Sequence, residues 1–222
     1  LSQIDPLTGC YNRRCATEKL MEAIAYMGER HHAAAFVMID LDGFKEINDH
    51  NGHQAGDEVL MAIARRLGEI APAGADVARL GGDEFAIVIP VENADLDVLE
   101  RWAADMIGKV AQPIETDIGP LEVTISAGIA IVEPGKPIEN LEGKARKLMH
   151  RADLAMYHAK KEGRNRYCWF DEKLEIEARI RRELELAIRS GLERGEFVPH
   201  YEQQIDLETG QLVGFEMLAR WH

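Results

Sequence analysis

Three carboxylates, Asp40, Asp83 and Glu84, stand where apolar runs give way to polar turns. Carboxylates brought together at neighbouring strand ends form the usual hard-oxygen site for Mg2+, which keeps several waters and completes its shell with substrate phosphates. Taken singly, each is equally a solvated turn residue. Lys160 and Arg164, four positions apart near the end of a helical stretch, fall on one helix face and could grip a triphosphate. The same spacing also serves a cationic last turn that complements the helix dipole. Asp42-Gly43-Phe44-Lys45 precedes a short helical stretch whose first N–H groups could face phosphate oxygens, with glycine permitting close approach. Asn48 and Asp57 bracket the loop Gly52-His53-Gln54-Ala55-Gly56 and offer an amide and a carboxylate to a purine edge. A carboxylate accepts from the N1 and N2 donors of guanine, whereas adenine presents an acceptor at N1 and no N2 amine, so this pair would select GTP over ATP. Both residues fit turn and cap roles equally well.

These side chains need a scaffold, and the apolar pattern supplies one. Residues 11–30 carry Leu20, Met21, Ile24 and Met27 at helical spacing, and residues 33–41 form a continuous apolar run that suits a buried central strand. Helices are expected at 56–70, 94–110 and 141–161, the last ending at Gly163; strands are expected at 76–80, 85–90 and 121–132. Gly81-Gly82-Asp83-Glu84 joins two of these strands as a hairpin. The order predicts an α/β sandwich with a central mixed sheet flanked by helices. An exposed connecting helix at 171–195 follows, and then two strands around Asp206-Leu207-Glu208-Thr209-Gly210. The expected division is 1–170, 171–195 and 196–222.

The 222 residues, 46% of them hydrophobic, suffice for one full core and a remainder. A formal net charge of −13 argues against nucleic-acid binding, so a phosphate-rich ligand must be held locally. Cys10, Cys15 and Cys168 form no CxxC pair and no zinc spacing, which fits a reducing, cytoplasmic setting. No apolar run reaches the ~20 residues of a membrane span. The opening Leu1-Ser2-Gln3-Ile4-Asp5 lacks a leader pattern and reads as a boundary within a longer chain, in which any membrane anchor would lie upstream.

Five ordered stretches resemble the GGDEF family of diguanylate cyclases. They are Asp5-Pro6-Leu7-Thr8-Gly9 with Asn12-Arg13-Arg14; Asp40-Leu41-Asp42-Gly43-Phe44-Lys45; Asn48-Asp49 with Gly52-His53 and Gly56-Asp57; Arg79-Leu80-Gly81-Gly82-Asp83-Glu84-Phe85; and Ala152-Asp153 through Met156-Tyr157 to Lys160 and Gly163-Arg164-Asn165. The resemblance implies a nucleotidyl-cyclase-like fold and the condensation of two GTP into cyclic di-GMP and pyrophosphate. It also implies a symmetric homodimer in which two half-sites face each other, with Mg2+, or alternatively Mn2+, as cofactor. On the matching positions, Asp40, the Leu41 carbonyl, Asp83 and Glu84 are expected as metal and catalytic groups. Asn48 and Asp57 would read guanine, Phe44 and Lys45 would line the wrapping loop, and Lys160 and Arg164 would clamp the phosphates.

Two departures qualify the resemblance. The family's product-inhibition motif, Arg-x-x-Asp, is replaced by Pro72-Ala73-Gly74-Ala75, and Asp76 stands one position too late. The tail, His200-Tyr201-Glu202-Gln203-Gln204 through Gly214-Phe215-Glu216-Met217-Leu218 with Arg220-Trp221, is similar to the start of an EAL phosphodiesterase domain. Glu216 matches that family's metal-ligand Glu, but the signature reads Glu-Met-Leu, and no hydrolysis is expected from this piece. The alternative to catalysis is a silent GTP-binding domain that controls an adjoining EAL domain.

Overall fold

The computed structural model describes residues 2–30, 33–91, 96–132 and 140–222. The chain divides into two compact units, Leu1–Leu174 and Glu175–His222. In the first unit, strand β1 (Tyr11–Asn12) leads into helix α1 (Arg13–Arg30), strand β2 (Ala33–Asp42) and helix α2 (Phe44–Ile70). A hairpin of β3 (Asp76–Gly81) and β4 (Glu84–Val91) follows, then α3 (Leu96–Val110) and the small hairpin β5 (Ile114–Thr116) and β6 (Gly119–Leu121). Strand β7 (Thr124–Val132), helix α4 (Leu141–Lys161) and strand β8 (Arg166–Trp169) complete the unit. The six-stranded sheet runs β1-β3-β4-β2-β7-β8. Strand β2 is antiparallel to both neighbours, while β1 and β8 add parallel edges. The expected mixed sheet flanked by helices is therefore present.

The sheet is covered on both sides, and β2 records this in its alternation. Ala33, Ala35, Val37, Ile39 and Leu41 pack with α2 and α3 residues such as Val59, Ile63, Leu67, Leu99 and Met106. Ala34, Phe36 and Met38 pack with Leu20 and Ile24 of α1 and Leu148 and Met156 of α4. A strand buried on both faces must be apolar at odd and even positions alike, hence the unbroken run. At Gly128 of β7 the backbone of α4 comes so close that an added Cβ would lie 2.0 Å from the Ala152 carbonyl and 2.1 Å from the Met156 amide.

Several expectations are corrected at their edges. Tyr11–Asn12 pairs in parallel with β3 and is not the first turn of α1. The strand expected at 121–132 is split, because Gly119–Leu121 turns back on Ile114–Thr116 and only Thr124–Val132 joins the main sheet. The stretch 44–70 is helical throughout, and the expected loop at 52–56 is reduced to a kink at Gly52 (φ 83°, ψ 163°). The break at 31–32 and the expected helix start at 94 lie outside the described residues.

In the second unit, helix α5 (Glu172–Glu193), which begins just before the division, is followed by strands β9 (Phe197–Ile205) and β10 (Leu212–Trp221) in an antiparallel hairpin. Asp206 builds the turn, accepting from the amides of Glu208 (2.9 Å) and Thr209 (2.7 Å) and from the Thr209 hydroxyl. The rings of Phe197 and Trp221 stack at 5.0 Å, and the Trp221 indole N–H donates to Glu196. Arg194 and Trp221 together hold the Glu196 carboxyl down at about 2.

The Gly128 contact yields a prediction. Gly128→Ala forces a methyl into main-chain atoms that cannot rotate aside, so it should destabilise the first unit by at least the ~3 kcal/mol upper end of core overpacking. Chemical denaturation monitored by circular dichroism is the measurement; a loss below ~1 kcal/mol would contradict this packing.

Candidate active site

Strand β2 carries its carboxylates inward because it continues two residues beyond Asp40, to Asp42. Asp40 is thus not at a strand end: it lies between Glu84 of β4 and Ser126 of β7 as direct cross-strand partners and is 8% exposed. Its Oδ1 lies 2.8 Å from the Lys160 ammonium. Burial pushes the Asp40 carboxyl above the ordinary range. Lys160 pulls it down, the charges of Asp83 and Glu84 push it up, and the balance stays upward.

Asp83 and Glu84 are placed by the β3–β4 hairpin. Gly81 (φ 140°) and Gly82 (φ 56°) adopt conformations that L-residues with side chains rarely reach, which tightens the turn. The Asp83 carbonyl accepts from the Leu41 amide at 3.3 Å, tying the turn to β2. The Glu84 carboxylate meets Arg13, whose Nη2 is 3.0 Å away and whose Nε donates to the Leu80 carbonyl. Arg79 fixes the turn from the other side. It donates from Nε (3.0 Å) and Nη2 (2.7 Å) to the Gly82 carbonyl and pairs with Asp5 at 3.2 Å. Burial alone would raise the Asp5 carboxyl, but hydrogen bonds from Thr8 and Arg79 outweigh it and the net shift is downward.

Divalent-cation binding can be judged from this donor set. Asp40 and Glu84 are direct partners across the ladder and so project on the same face of the sheet. Each is already engaged by a cationic side chain, so the spot favours positive charge. Among the described residues no group of three or more His, Cys, Asp or Glu converges into a closed metal cage. Were a divalent cation held here, Asp40, Asp83 and Glu84 would supply carboxylate oxygens and Leu41 a carbonyl, the hard-oxygen chemistry that Mg2+ takes, and its remaining positions would be left to other ligands.

Lys160 and Arg164 do not share a helix face, which corrects the spacing argument. Helix α4 ends at Lys161, Gly163 takes φ 114°, and Arg164 (φ 62°) and Asn165 (φ 47°) both enter the left-handed region. The Arg164 amide closes the turn on the Ala159 carbonyl at 3.1 Å. The Arg164 side chain leaves an exposed turn beyond the helix, while Lys160 points to Asp40.

At the start of α2, Gly43 caps the helix in the left-handed conformation with no side-chain cap bond, which leaves the first-turn N–H groups of Phe44 and Lys45 to other acceptors. Phe44 and Asn48 are half-buried, and Lys45 and Asp57 are exposed. Positions 48 and 57 would lie on opposite sides of a continuous helix, since nine steps of ~100° amount to two and a half turns. The kink at Gly52 removes that conflict. Asn48 folds back over the second half of α2, so that a Cβ on Gly56 would meet its Oδ1 at 2.0 Å.

Sequence reasoning assigned no role to Arg13, Arg79, Asp5, Asp42 or Gly56, although all five fall in stretches it quoted. Asp42 accepts from Thr124 Oγ1 (2.8 Å), Ser126 Oγ (2.7 Å) and the Asn165 amide (3.1 Å). Its alternation with Asp40 along a strand was the available signal.

The chain was compared with known proteins on this basis. Residues 2–166 match the family described as "Diguanylate cyclase, GGDEF domain". The chain is 36% identical over 219 residues to the bifunctional diguanylate cyclase/cyclic di-GMP phosphodiesterase MucR of Pseudomonas aeruginosa, covering 98% of this chain and 30% of that protein. It is 32% identical to signaling protein YkoW of Bacillus subtilis, covering 99% of this chain and 27% of that protein. The chain thus spans about a third or less of these relatives. Among solved structures, a GGDEF domain of TpbB (YfiN) from Pseudomonas aeruginosa superposes with a TM-score of 0.70 at 34% identity, covering 79% of this chain and 99% of that one. The GGDEF domain of DgcB from Caulobacter crescentus, solved in complex with c-di-GMP, gives 0.67 at 31% identity, covering 76% and 96%.

The Asp5 tether gives a pH prediction. A carboxyl whose pKa is lowered on folding contributes stability that is complete above about pH 4 and is lost as the pH falls through the folded value. Asp5→Asn should cost about 1–2 kcal/mol at pH 7, with the gap to wild type closing as the pH falls below ~4. Denaturation curves across this range provide the check, and a gap that stays constant would mean that charge is not what Asp5 contributes.

Proposed function

Because the chain belongs to the diguanylate cyclase GGDEF-domain family, we propose that it condenses two GTP molecules into cyclic di-GMP and two pyrophosphates. The observation that carries this reading is the intact turn from Gly81 to Phe85, which sets Glu84 across from Asp40 beside the Lys160 ammonium. A domain kept only for regulation has no need of these carboxylates. The 3′-hydroxyl of one GTP would attack the α-phosphorus of the other, breaking its bond to pyrophosphate, and a second such step would close the ring.

In this reading Asn48 and Asp57 bind the guanine edge, while Phe44, Lys45 and the uncapped start of α2 wrap the phosphates. Lys160 has three donors and can hold Asp40 and a phosphate oxygen together, with Arg164 beside it. Mg2+, or Mn2+, held by Asp40, the Leu41 main chain, Asp83 and Glu84 would supply charge neutralisation at the phosphates. One GTP per domain implies that two protomers face each other, so activity per protomer rises with protein concentration.

Wider assignments follow as parts of the same proposal. The segment 196–222 begins an EAL domain, supported by the near-complete coverage of this chain by the bifunctional relative. Glu216, its candidate ligand, sits directly across the hairpin from Glu202. This chain alone hydrolyses no cyclic di-GMP, and its product inhibits weakly, because Pro72 to Ala75 form a small apolar turn without cation or carboxylate. Among the described residues no helix is long and apolar enough to cross a membrane. The free thiols of Cys10, Cys15 and Cys168, all raised by burial, accord with a reducing cytoplasmic setting.

Incubation with GTP and Mg2+, followed by chromatography, should show cyclic di-GMP from the wild type and none from Asp83→Ala/Glu84→Ala. GTP binding without product at high protein concentration would favour the silent regulatory reading. Asp57→Ala should weaken discrimination against ATP by at least tenfold, the size of one lost buried hydrogen bond to the base. Gly56→Ala should raise KM for GTP by about tenfold by displacing Asn48, with stability unchanged or up to ~1 kcal/mol higher, since alanine is the better helix former. Loss of stability with unaltered KM would contradict the placement of Asn48.

A further inference from the structure

The turn after α4 is held from outside by a residue that has no part in the chemistry proposed above. Gly163, Arg164 and Asn165 take positive φ in succession (114°, 62° and 47°). Glycine does so freely, but arginine and asparagine with their Cβ atoms do not, and such a conformation persists only where its surroundings over-determine it. The Arg164 amide is closed on the Ala159 carbonyl within the same segment, and the restraint from outside it is Asp42. Its Oδ2 accepts from the Asn165 amide at 3.1 Å and from Thr124 Oγ1 at 2.8 Å, and its Oδ1 accepts from Ser126 Oγ at 2.7 Å. Ser126 is fully buried. All three donors are neutral, so Asp42 is not a charge partner for any of them. A carboxylate suits the position because it has only acceptors to offer; an asparagine would present donors to donors on one side.

Asp40 and Asp42 are alternate residues of one strand and therefore project on the same face. That face continues the row of Ala34, Phe36 and Met38, against which α4 packs. The two carboxylates accordingly grip the end of α4 at two points, Asp40 on the Lys160 ammonium and Asp42 on the Asn165 amide. Arg164 lies between these points, immediately before the pinned amide.

We propose that Asp42 is a positioning residue, which locks the left-handed turn at Arg164–Asn165 and thereby aims the Arg164 guanidinium at the nucleotide phosphates. The clamp itself rests on the geometry alone; only the identity of what Arg164 grips rests on the cyclase reading. Binding energy that Arg164 contributes to the phosphates is then delivered through Asp42, and the two residues act as one unit. Asp42→Asn, which keeps the volume of the side chain, loses part of the effect; Asp42→Ala loses all of it.

The test measures two quantities on the whole chain, neither needing turnover. One is hydrogen exchange at the Asn165 amide; the other is the affinity for a non-hydrolysable GTP analogue in Mg2+. Asp42→Ala should raise the exchange rate at Asn165 at least tenfold and weaken analogue binding by about tenfold. Arg164→Ala should weaken binding similarly, and the double variant should be no weaker than either single one, because coupled residues do not add. Asn165→Gly placed in the Asp42→Ala background should recover most of the affinity, since glycine takes the required φ without help. Should Asp42→Ala fail to fold by circular dichroism, Asp42→Asn is measured in its place, with a smaller shift of the same pattern expected. Unchanged exchange at Asn165 would overturn the clamp, and fully additive losses would overturn its link to Arg164. A wild type that binds the analogue but forms no cyclic di-GMP from GTP would refute the cyclase reading alone, leaving these comparisons to decide the role of Asp42.

Discussion

Strand β2 is sealed on both faces, and from this the rest of the first unit follows. Nine of its ten residues are buried, so an ionisable group anywhere along it must find a partner or give up its charge. Asp40 is kept there by the Lys160 ammonium, which reaches back from the last turn of α4. That requirement sets the register of α4, because sliding the helix by one turn would carry the ammonium ~5 Å away. The tight approach of α4 to Gly128 fixes the same helix from below, by shape instead of charge. Together they leave α4 one register along the sheet.

The signature hairpin is stabilised differently. Its glycines make the turn possible, but two cations hold it: Arg13, from the start of α1, meets the Glu84 carboxylate, and Arg79 of β3, anchored by Asp5, holds the Gly82 carbonyl. The Arg79–Asp5 pair is largely shielded, with side-chain exposures of 12% and 19%, so it holds more firmly than the open Arg13–Glu84 contact at 57% and 37%. The backbone of the turn is thus rigidly held while the carboxylate at its edge can exchange one cation for another.

How legible all this was in the sequence depends on length and on period. Strand β2 and helix α4 were readable, because a long apolar run and a sustained helical repeat leave little choice, and the limits of α4 coincide with the expected ones. Strands β1, β5, β6 and β8, of two to four residues, were not, since so short a stretch has no period and is stabilised by its neighbours. The site followed the same rule. Asp40, Asp83 and Glu84 were singled out by type and position, but the depth of Asp40 was not, because burial depends on where the adjacent strands end. Arg164 was misplaced on a helix face because two non-glycine residues in the left-handed region run against local preference, and the contacts that hold them, the Arg164 amide on Ala159 and the Asn165 amide on Asp42, are not visible in a helical repeat.

The kink in α2 also has an evolutionary meaning. With φ 83° and ψ 163°, Gly52 occupies a region closed to every residue that has a Cβ, yet nothing lies within 4 Å of where that Cβ would be. The position is spacious and still intolerant. A replacement there would meet no obstacle to folding, since an unbroken α2 is the conformation most side chains prefer, and it would retain every core contact made after Ala55. It would instead rotate Asn48 to the far side of the helix from Asp57. One codon, at a position that touches nothing, thus decides whether those two polar side chains lie on the same side of α2 or on opposite sides.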